Sequence, residues 1–272
     1  MGIQSFLKAQ KGDPDWVFTP EDYFDKEFKI IDANLIELAA GKTDSIILRQ
    51  TPTEHEMLAK HLRIDIREGA VFDLTIINEA ANKLQQVFLY DIRIREGGQL
   101  NLGIFIKGGK LNKHIFQITL DDGANFNSYG YITNYIGGDC EIITKLDHKG
   151  IQSVSNQYVL AEAGPESQTV FQGMVNIDKE AKYSQVGVEN LNVLAGDNAR
   201  CFGLPEVYNT NDKAKCTSGT STEFIDQDQI YYLQSRGIDY DTAEALVLSG
   251  FRKQILNIIP SATLREEIEQ FF

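Results

Sequence analysis

Thiols and hydroxyls crowd one stretch of the chain, Lys215-Cys216-Thr217-Ser218-Gly219, inside "DKAKCTSGTSTEFIDQDQIYYLQSRGID". A serine or cysteine nucleophile needs a base and an orienting partner beside it. All four histidines (His55, His61, His114 and His148) fall well upstream, and the turn is not G-x-S-x-G, so nothing local marks a hydrolase. The three cysteines, Cys140, Cys201 and Cys216, lie far apart, form no C-x-x-C pair and have no histidine at zinc-ligand spacing. They read as free, mostly buried thiols of a reducing compartment. Gly108-Gly109 and Gly137-Gly138 do not complete G-x-G-x-x-G, and there is no P-loop, so nucleotide binding by this chain has no support.

The elements that must position these residues are bounded by composition. The chain has 272 residues, 42% hydrophobic and 10% aromatic, which suits one large globular domain or two small ones. A formal charge of −13 disfavours nucleic acid and anionic membrane surfaces, both of which select Lys and Arg. The start, "MGIQSFLKAQKGDPDW", has neither a secretory h-region nor an Arg-rich transit pattern, and Phe6 stands where a myristoylation signal wants Ser or Thr. No segment approaches eighteen apolar residues. A soluble, cytoplasmic protein is expected, with no membrane and no nucleic acid among its partners.

Residues 1–28 read as an N-terminal arm, with Thr19-Pro20 as a helix start. From 29 to 222 the pattern is alternation. "LRIDIREG", "DIRIREGG" and "FQITLDDG" each place two branched residues on one face before an acidic-Gly corner, at offsets of 28 and then 26 residues. Weaker echoes in "MVNID" and "LNVLAGD" lie 16 apart. Short strands with turns and no helix between them suit a sandwich, a propeller or a β-helix. The propeller signature is absent, and a recurring corner is what stacked coils need, because each must bend the chain the same way. The corners are read as turns, not as calcium sites.

Residues 223–272 switch to helical period. Asp226 caps a first helix that Gly237 stops, Asp239 or Asp241 opens a second, and Thr263-x-x-Glu266 reads as a capping box for a third. In the second helix Leu246, Gly250, Phe251, Gln254, Ile255 and Ile258 fall near one stripe. Tyr231, Tyr232, Leu233, Phe251 and the last two phenylalanines exceed what three short helices can bury among themselves. They either cap the β-stack or form a partner surface, with Arg236 beside them.

With those residues in view, the second half resembles the SufB/SufD family of iron–sulfur cluster assembly proteins, in detail closer to SufD. The matching pieces run in family order: "VFQGMVNIDKEAKYSQ", "LNVLAGDNARCFGLPEVYNTNDKAKCTSGTSTEFIDQDQIYYLQSRGID" and "AEALVLSGFRKQILNIIP". The resemblance implies a right-handed parallel β-helix flanked by helices, acting as a non-enzymatic assembly subunit. It implies docking of a SufC-type ABC ATPase through the terminal helices, here Tyr231, Tyr232, Leu233, Arg236, Phe251 and Ile255. It also implies pairing with a SufB/SufD-type subunit, or with a second copy, through the last strands, which hold Glu206, Val207, Tyr208, Lys215, Cys216 and Thr217. No cofactor is expected on the chain alone, only a transient iron–sulfur cluster in the assembled complex.

The chain departs from the family at the chemistry. Ser218 stands where SufD proteins carry a histidine, Ala199 where SufB proteins carry a functional cysteine six residues before Pro205, and Gly219 where SufB has glutamate. Soft thiolates favour iron and sulfide, so a shifted Cys201 or Cys216 is the candidate metal ligand. About thirty residues stand where larger members carry a long N-terminal helical region. The readings left open are a cluster-free structural or regulatory paralogue, and a carbohydrate-binding or lyase β-helix.

Overall fold

The computed structural model describes residues 30–50, 57–135, 137–259 and 261–271. The N-terminal arm and its Thr19-Pro20 helix start lie outside the described residues. Odd-numbered strands build sheet A: β1 (Ile30–Leu38), β3 (Met57–Ile66), β5 (Gln85–Ile94), β7 (Leu111–Leu120), β9 (Gly138–His148), β11 (Ser167–Ile177) and β13 (Arg200–Asn209). Even-numbered strands build sheet B: β2 (Thr43–Gln50), β4 (Val71–Ala80), β6 (Gln99–Gly108), β8 (Asn125–Asn134), β10 (Val154–Ala163), β12 (Gln185–Leu194) and β14 (Lys215–Phe224). Every pairing is parallel, so the chain winds as a β-solenoid, each coil laying one strand in each sheet.

The register explains the repeat. Ile64 pairs with Ile92 and Ile92 with Ile118, so the offsets of 28 and 26 are whole coils. The later offset of 16 is not a coil: "MVNID" lies mostly in β11 of sheet A and "LNVLAGD" mostly in β12 of sheet B, so it measures half a turn. Alternation arises because inward positions stack coil over coil. Ile64, Ile92, Ile118, Leu146 and Val175 form one inward row, and Phe72, Leu100 and Phe126 another in the facing sheet.

The acidic-Gly corners work through their backbones. Gly97 sits at φ 63°, where an L side chain strains, and its amide donates to the Asp122 carbonyl of the next coil at 2.8 Å. Gly41 and Gly69 repeat that bond to the carbonyls of Glu68 and Glu96. Further along, Gln152 and Tyr183 hold the same left-handed corner without glycine.

Three helices follow: α1 (Gln227–Ser235), α2 (Tyr240–Ile258) and α3 (Ala262–Phe271). Asp226 accepts from the Asp228 amide, and Asp239, not Asp241, caps α2 by accepting from the Thr242 amide. The third cap is displaced from expectation: Ser261 Oγ, the first hydroxyl after Pro260, accepts from the Leu264 amide, so Thr263 is already helical. α1 packs against α2, and α2 and α3 pack on the outer face of sheet B and not over the end of the stack. Leu248, Ile255, Leu256, Ile259, Leu264 and Ile268 meet Phe105, Tyr131, Leu160, Leu191 and Val193 there. The buried stripe is rotated from the one expected, leaving Leu246 and Ile258 exposed. Among the described residues no helix is long and apolar enough to cross a membrane.

Two histidines are sealed in the interior. His148 places its ring nitrogens 2.7 Å from Ser153 Oγ and 2.8 Å from Ser155 Oγ, and His114 stacks on Phe88 with ring centroids 4.6 Å apart. Burial lowers their pKa values from 6.5 to about 4 and about 3. Below pH 6.5 the unfolded chain therefore takes up protons that the fold refuses. Stability is complete above that pH and falls as pH drops toward 4, by about 1.4 kcal/mol per pH unit per histidine. Urea unfolding at pH 7.5 and 5 measures this slope, and His114→Phe, which keeps the stack, flattens it.

Candidate functional site

Among the described residues the last coil has neighbours on one side only: in sheet A, β13 pairs with β11 alone, and in sheet B, β14 pairs with β12 alone. All ten residues of β14 are exposed. Both registers run without a break, Gln168 with Arg200 to Ile177 with Asn209, and Gln185 with Lys215 to Leu194 with Phe224. Two strand edges of unpaired backbone donors and acceptors therefore lie open at one end.

The candidate metal ligands sit on the inner side of this coil. Cys201 continues the inward row of Cys140 and Thr169; Cys216 and Ser218 continue those of Val186 and Val188. The expectation of mostly buried thiols holds for Cys140 alone, because Cys201 is half-buried and Cys216 exposed where no further coil covers them. Thr169 Oγ1 donates to Cys201 Sγ at 3.1 Å, and burial raises the pKa of that thiol. Burial also raises Cys216. Among the described residues no three His, Cys, Asp or Glu side chains gather into a metal-binding group. Ser218 offers a hydroxyl, a poor iron ligand. Inward Gly203 permits a close approach of the two sheets, since a Cβ there would strike Asn190 and Thr220.

Of the other strand candidates, Glu206, Tyr208, Lys215 and Thr217 alternate outward, and Val207 points inward. Tyr208 donates to Glu206 Oε2 at 2.8 Å and Gln172 to Glu206 Oε1 at 3.4 Å, while Val207 packs on the core from inside. Lys215 and Thr217 alternate with Cys216 along β14.

The helix candidates separate into two groups. Tyr231 and Tyr232 are 66% and 60% exposed on α1, and the Arg236 guanidinium lies 5.3 Å from the Tyr232 ring centre. Leu233 is partly covered. Phe251 and Ile255 instead hold α2 to sheet B; Ile255 is fully buried. Between Phe251 and Gln254 on α2 and Thr217 to Ser221 on β14 runs a groove of about 540 Å³, floored by Tyr158 and Glu189.

What fixes α2 escaped the sequence analysis. Arg252 grips Glu162 of β10 with two bonds, Nε to Oε2 at 2.9 Å and Nη2 to Oε1 at 2.6 Å. Tyr131 and Tyr135 hydroxyls donate to the same carboxylate at 2.9 and 2.8 Å. The Glu162 side chain is 0% exposed. Burial works most strongly against the Arg252 charge, but the hydrogen bonds to Glu162 together with the charges of Glu162, Tyr131 and Tyr135 outweigh it and raise the pKa. Burial, reinforced by the Glu162 charge, pushes Tyr135 up to about 12 and Tyr131 well above the usual phenol range, so both remain donors. The available signal was a carboxylate between two small residues, "LAEAG", in a buried strand, and an arginine on the apolar side of a helix. Neither names its partner.

Comparison with known proteins places this geometry. Residues 24–251 match the family described as "SUF system FeS cluster assembly, SufBD core domain". An iron–sulfur cluster assembly SufBD family protein of Synechocystis is 27% identical over 77% of this chain and 44% of its own length. The iron–sulfur cluster assembly protein SufD of Escherichia coli is 26% identical over 47% of this chain and 30% of its own. A chloroplastic SufBD family protein of Arabidopsis thaliana is 30% identical over 52% and 25%. The matches thus span less than half the length of these relatives.

Removing one partner of a buried ion pair leaves the other uncompensated. Glu162→Ala is expected to lower the unfolding free energy by about 3–5 kcal/mol, read by chemical denaturation followed through helical circular dichroism.

Proposed function

The chain belongs to the SufBD family of SUF-system iron–sulfur cluster assembly proteins, and from that premise we propose that it is a scaffold subunit. Its open β13 and β14 edges pair with a second copy or a SufB/SufD-type subunit, and its terminal helices dock a SufC-type ABC ATPase. The observation that carries this reading is the asymmetry between the two ends of the solenoid. At the first coil, β1 carries a register shift between Ile31 and Asn34, and β2 presents Asp44 and Arg49, the latter paired with Glu267 of α3. Bulges and charges are how proteins stop strand edges from pairing. The last coil has neither device on β14: Cys216 to Thr222 are uncharged and unbroken in register. An edge left in that state suits pairing with another chain.

In this reading the cluster is cargo, held where two last coils meet. Cys201 and Cys216 supply soft ligands from one side, and the remaining ligands come from the second chain. ATP hydrolysis belongs to the docked partner; this chain contributes the frame. Tyr231, Tyr232 and Arg236, an exposed aromatic pair beside a guanidinium, have the composition of an interface anchor. The cytoplasm or a plastid stroma would both supply the reducing setting that three free thiols favour.

One observation favours a second reading, the cluster-free scaffold: Ser218 and Ala199 occupy the positions at which relatives are expected to carry His and Cys, and no three-ligand group exists among the described residues. Anaerobic reconstitution with iron and sulfide in the presence of the cognate SufC-type ATPase separates the two. Visible charge-transfer absorbance that Cys201→Ser and Cys216→Ser abolish is the expected result, and its absence from the complete wild-type complex supports the cluster-free form.

Pairing and docking are tested separately. Gly219→Lys adds an exposed charge to β14, where a new Cβ meets nothing within 4 Å, and is expected to convert a dimer to monomer in sedimentation. Tyr231→Ala with Tyr232→Ala is expected to weaken ATPase binding by about 2–4 kcal/mol in titration calorimetry while leaving the dimer intact. Unchanged behaviour of either variant removes the corresponding assignment.

A further inference from the structure

We propose that residues 1–28 dock along the outer face of sheet A and cover it, as α2 and α3 cover the outer face of sheet B. The starting point is a set of outward side chains that are dry although no described element lies over them.

Two outward rows run coil over coil across sheet A. One steps from Val87 to Lys113, Glu141 and Val170, the other from Leu89 to Ile115, Ile143 and Gln172. Every member is buried, Ile115 and Ile143 to 2% and 1% exposure. Lys113 Nζ and Glu141 Oε2 stand 2.6 Å apart, with side chains only 11% and 10% exposed. On an open face such long side chains carry their charges out to water. Here both charges are held away from it.

Sheet B supplies the internal comparison. Under α2 and α3, outward Phe105, Tyr131 and Leu160 are fully buried. Beside the helices, Asn101 and Asn127 of another outward row are partly exposed, and Asn156 is exposed. The two rows of sheet A match the covered pattern. Yet the apolar cluster on that face, Val87, Leu89, Leu111, Ile115 and Ile143, includes no described residue from outside sheet A.

Chain length and composition single out the cover. Outside the described residues, positions 136, 260 and 272 stand singly, and the connection 51–56 reads TPTEHE, without one large apolar side chain. Residues 1–28 carry Phe6, Trp16, Phe18, Tyr23, Phe24 and Phe28. Lys29 joins them to β1, the edge strand of sheet A, so they enter beside the face that needs covering. From β1 to β11 is about 24 Å at the usual spacing between strands. Even at the rise of a helix, 28 residues reach about 40 Å.

The cover stops short of the last coil. On β13 the two rows continue as Phe202, 38% exposed, and Leu204, partly exposed. Docked in this way, the arm withdraws most of sheet A from partners and leaves them the helices, the groove and the open coil.

Hydroxyl-radical labelling of the full chain, read by mass spectrometry, tests the docking with isoleucines as matched reporters. In wild type, Ile115 and Ile143 are expected to label as slowly as Ile255, which is buried under α2, and well below Ile258, which is 45% exposed. In the triple variant Trp16→Ser, Phe18→Ser and Phe24→Ser, both are expected to rise to the rate of Ile258 while Ile255 stays protected. Fast labelling of Ile115 and Ile143 in wild type overturns the docking. So does protection that survives in the triple variant, which assigns the cover to another chain, a second copy included. If Ile255 also loses protection, the triple variant has unfolded and the three single replacements carry the comparison. Unchanged labelling of Ile143 in all three then overturns the proposal.

Discussion

A strand in a parallel solenoid can satisfy its backbone only against the coil before and the coil after, and everything else in this chain is arranged around that constraint. Side chains must alternate so that inward positions stack in rows. Corners must repeat so that each coil lands on the last, which is why the Gly69 and Gly97 amides find the same carbonyl acceptor one coil further on. The constraint also guarantees two ends at which pairing stops. The chain treats them differently: a register shift and an ion pair to α3 at β1 and β2, and a plain run of Cys, Ser, Thr and Gly at β14.

The helical module obeys a second requirement. An apolar sheet face must be kept from water, and α2 and α3 cover the apolar outer face of sheet B with Leu248, Ile255, Leu256, Leu264 and Ile268. Apolar packing alone would hold them there in several orientations. Glu162, fully buried and bonded by Arg252 and two tyrosines, permits one. Desolvating such a pair costs several kcal/mol per ion, so its return is a defined geometry rather than added stability.

The sequence disclosed what repeats and what is local. Offsets of 28 and 26 residues were readable because Ile64, Ile92 and Ile118 must superpose, and Asp226 was readable as a cap, and Asp239 as one of two candidates, because a cap bonds within three residues. The 16-residue echo misled as to period because strands on opposite sheets share the same alternation. The helix stripe was rotated because Arg252, counted as polar, belongs to the buried side. Its partner lies 90 residues away, and no periodicity links the two. That Cys201 and Cys216 are uncovered depends on the stack ending just there, which is a property of the whole and of no segment within it.

The corner ladder has an evolutionary consequence. Because Gly41, Gly69, Gly97, Gly123, Gln152 and Tyr183 all make one and the same bend, genetic duplication or loss of a single loop of the winding would be spliced seamlessly between its neighbours. Lineages could then grow or trim the beam's span while inheriting both of its extremities unaltered.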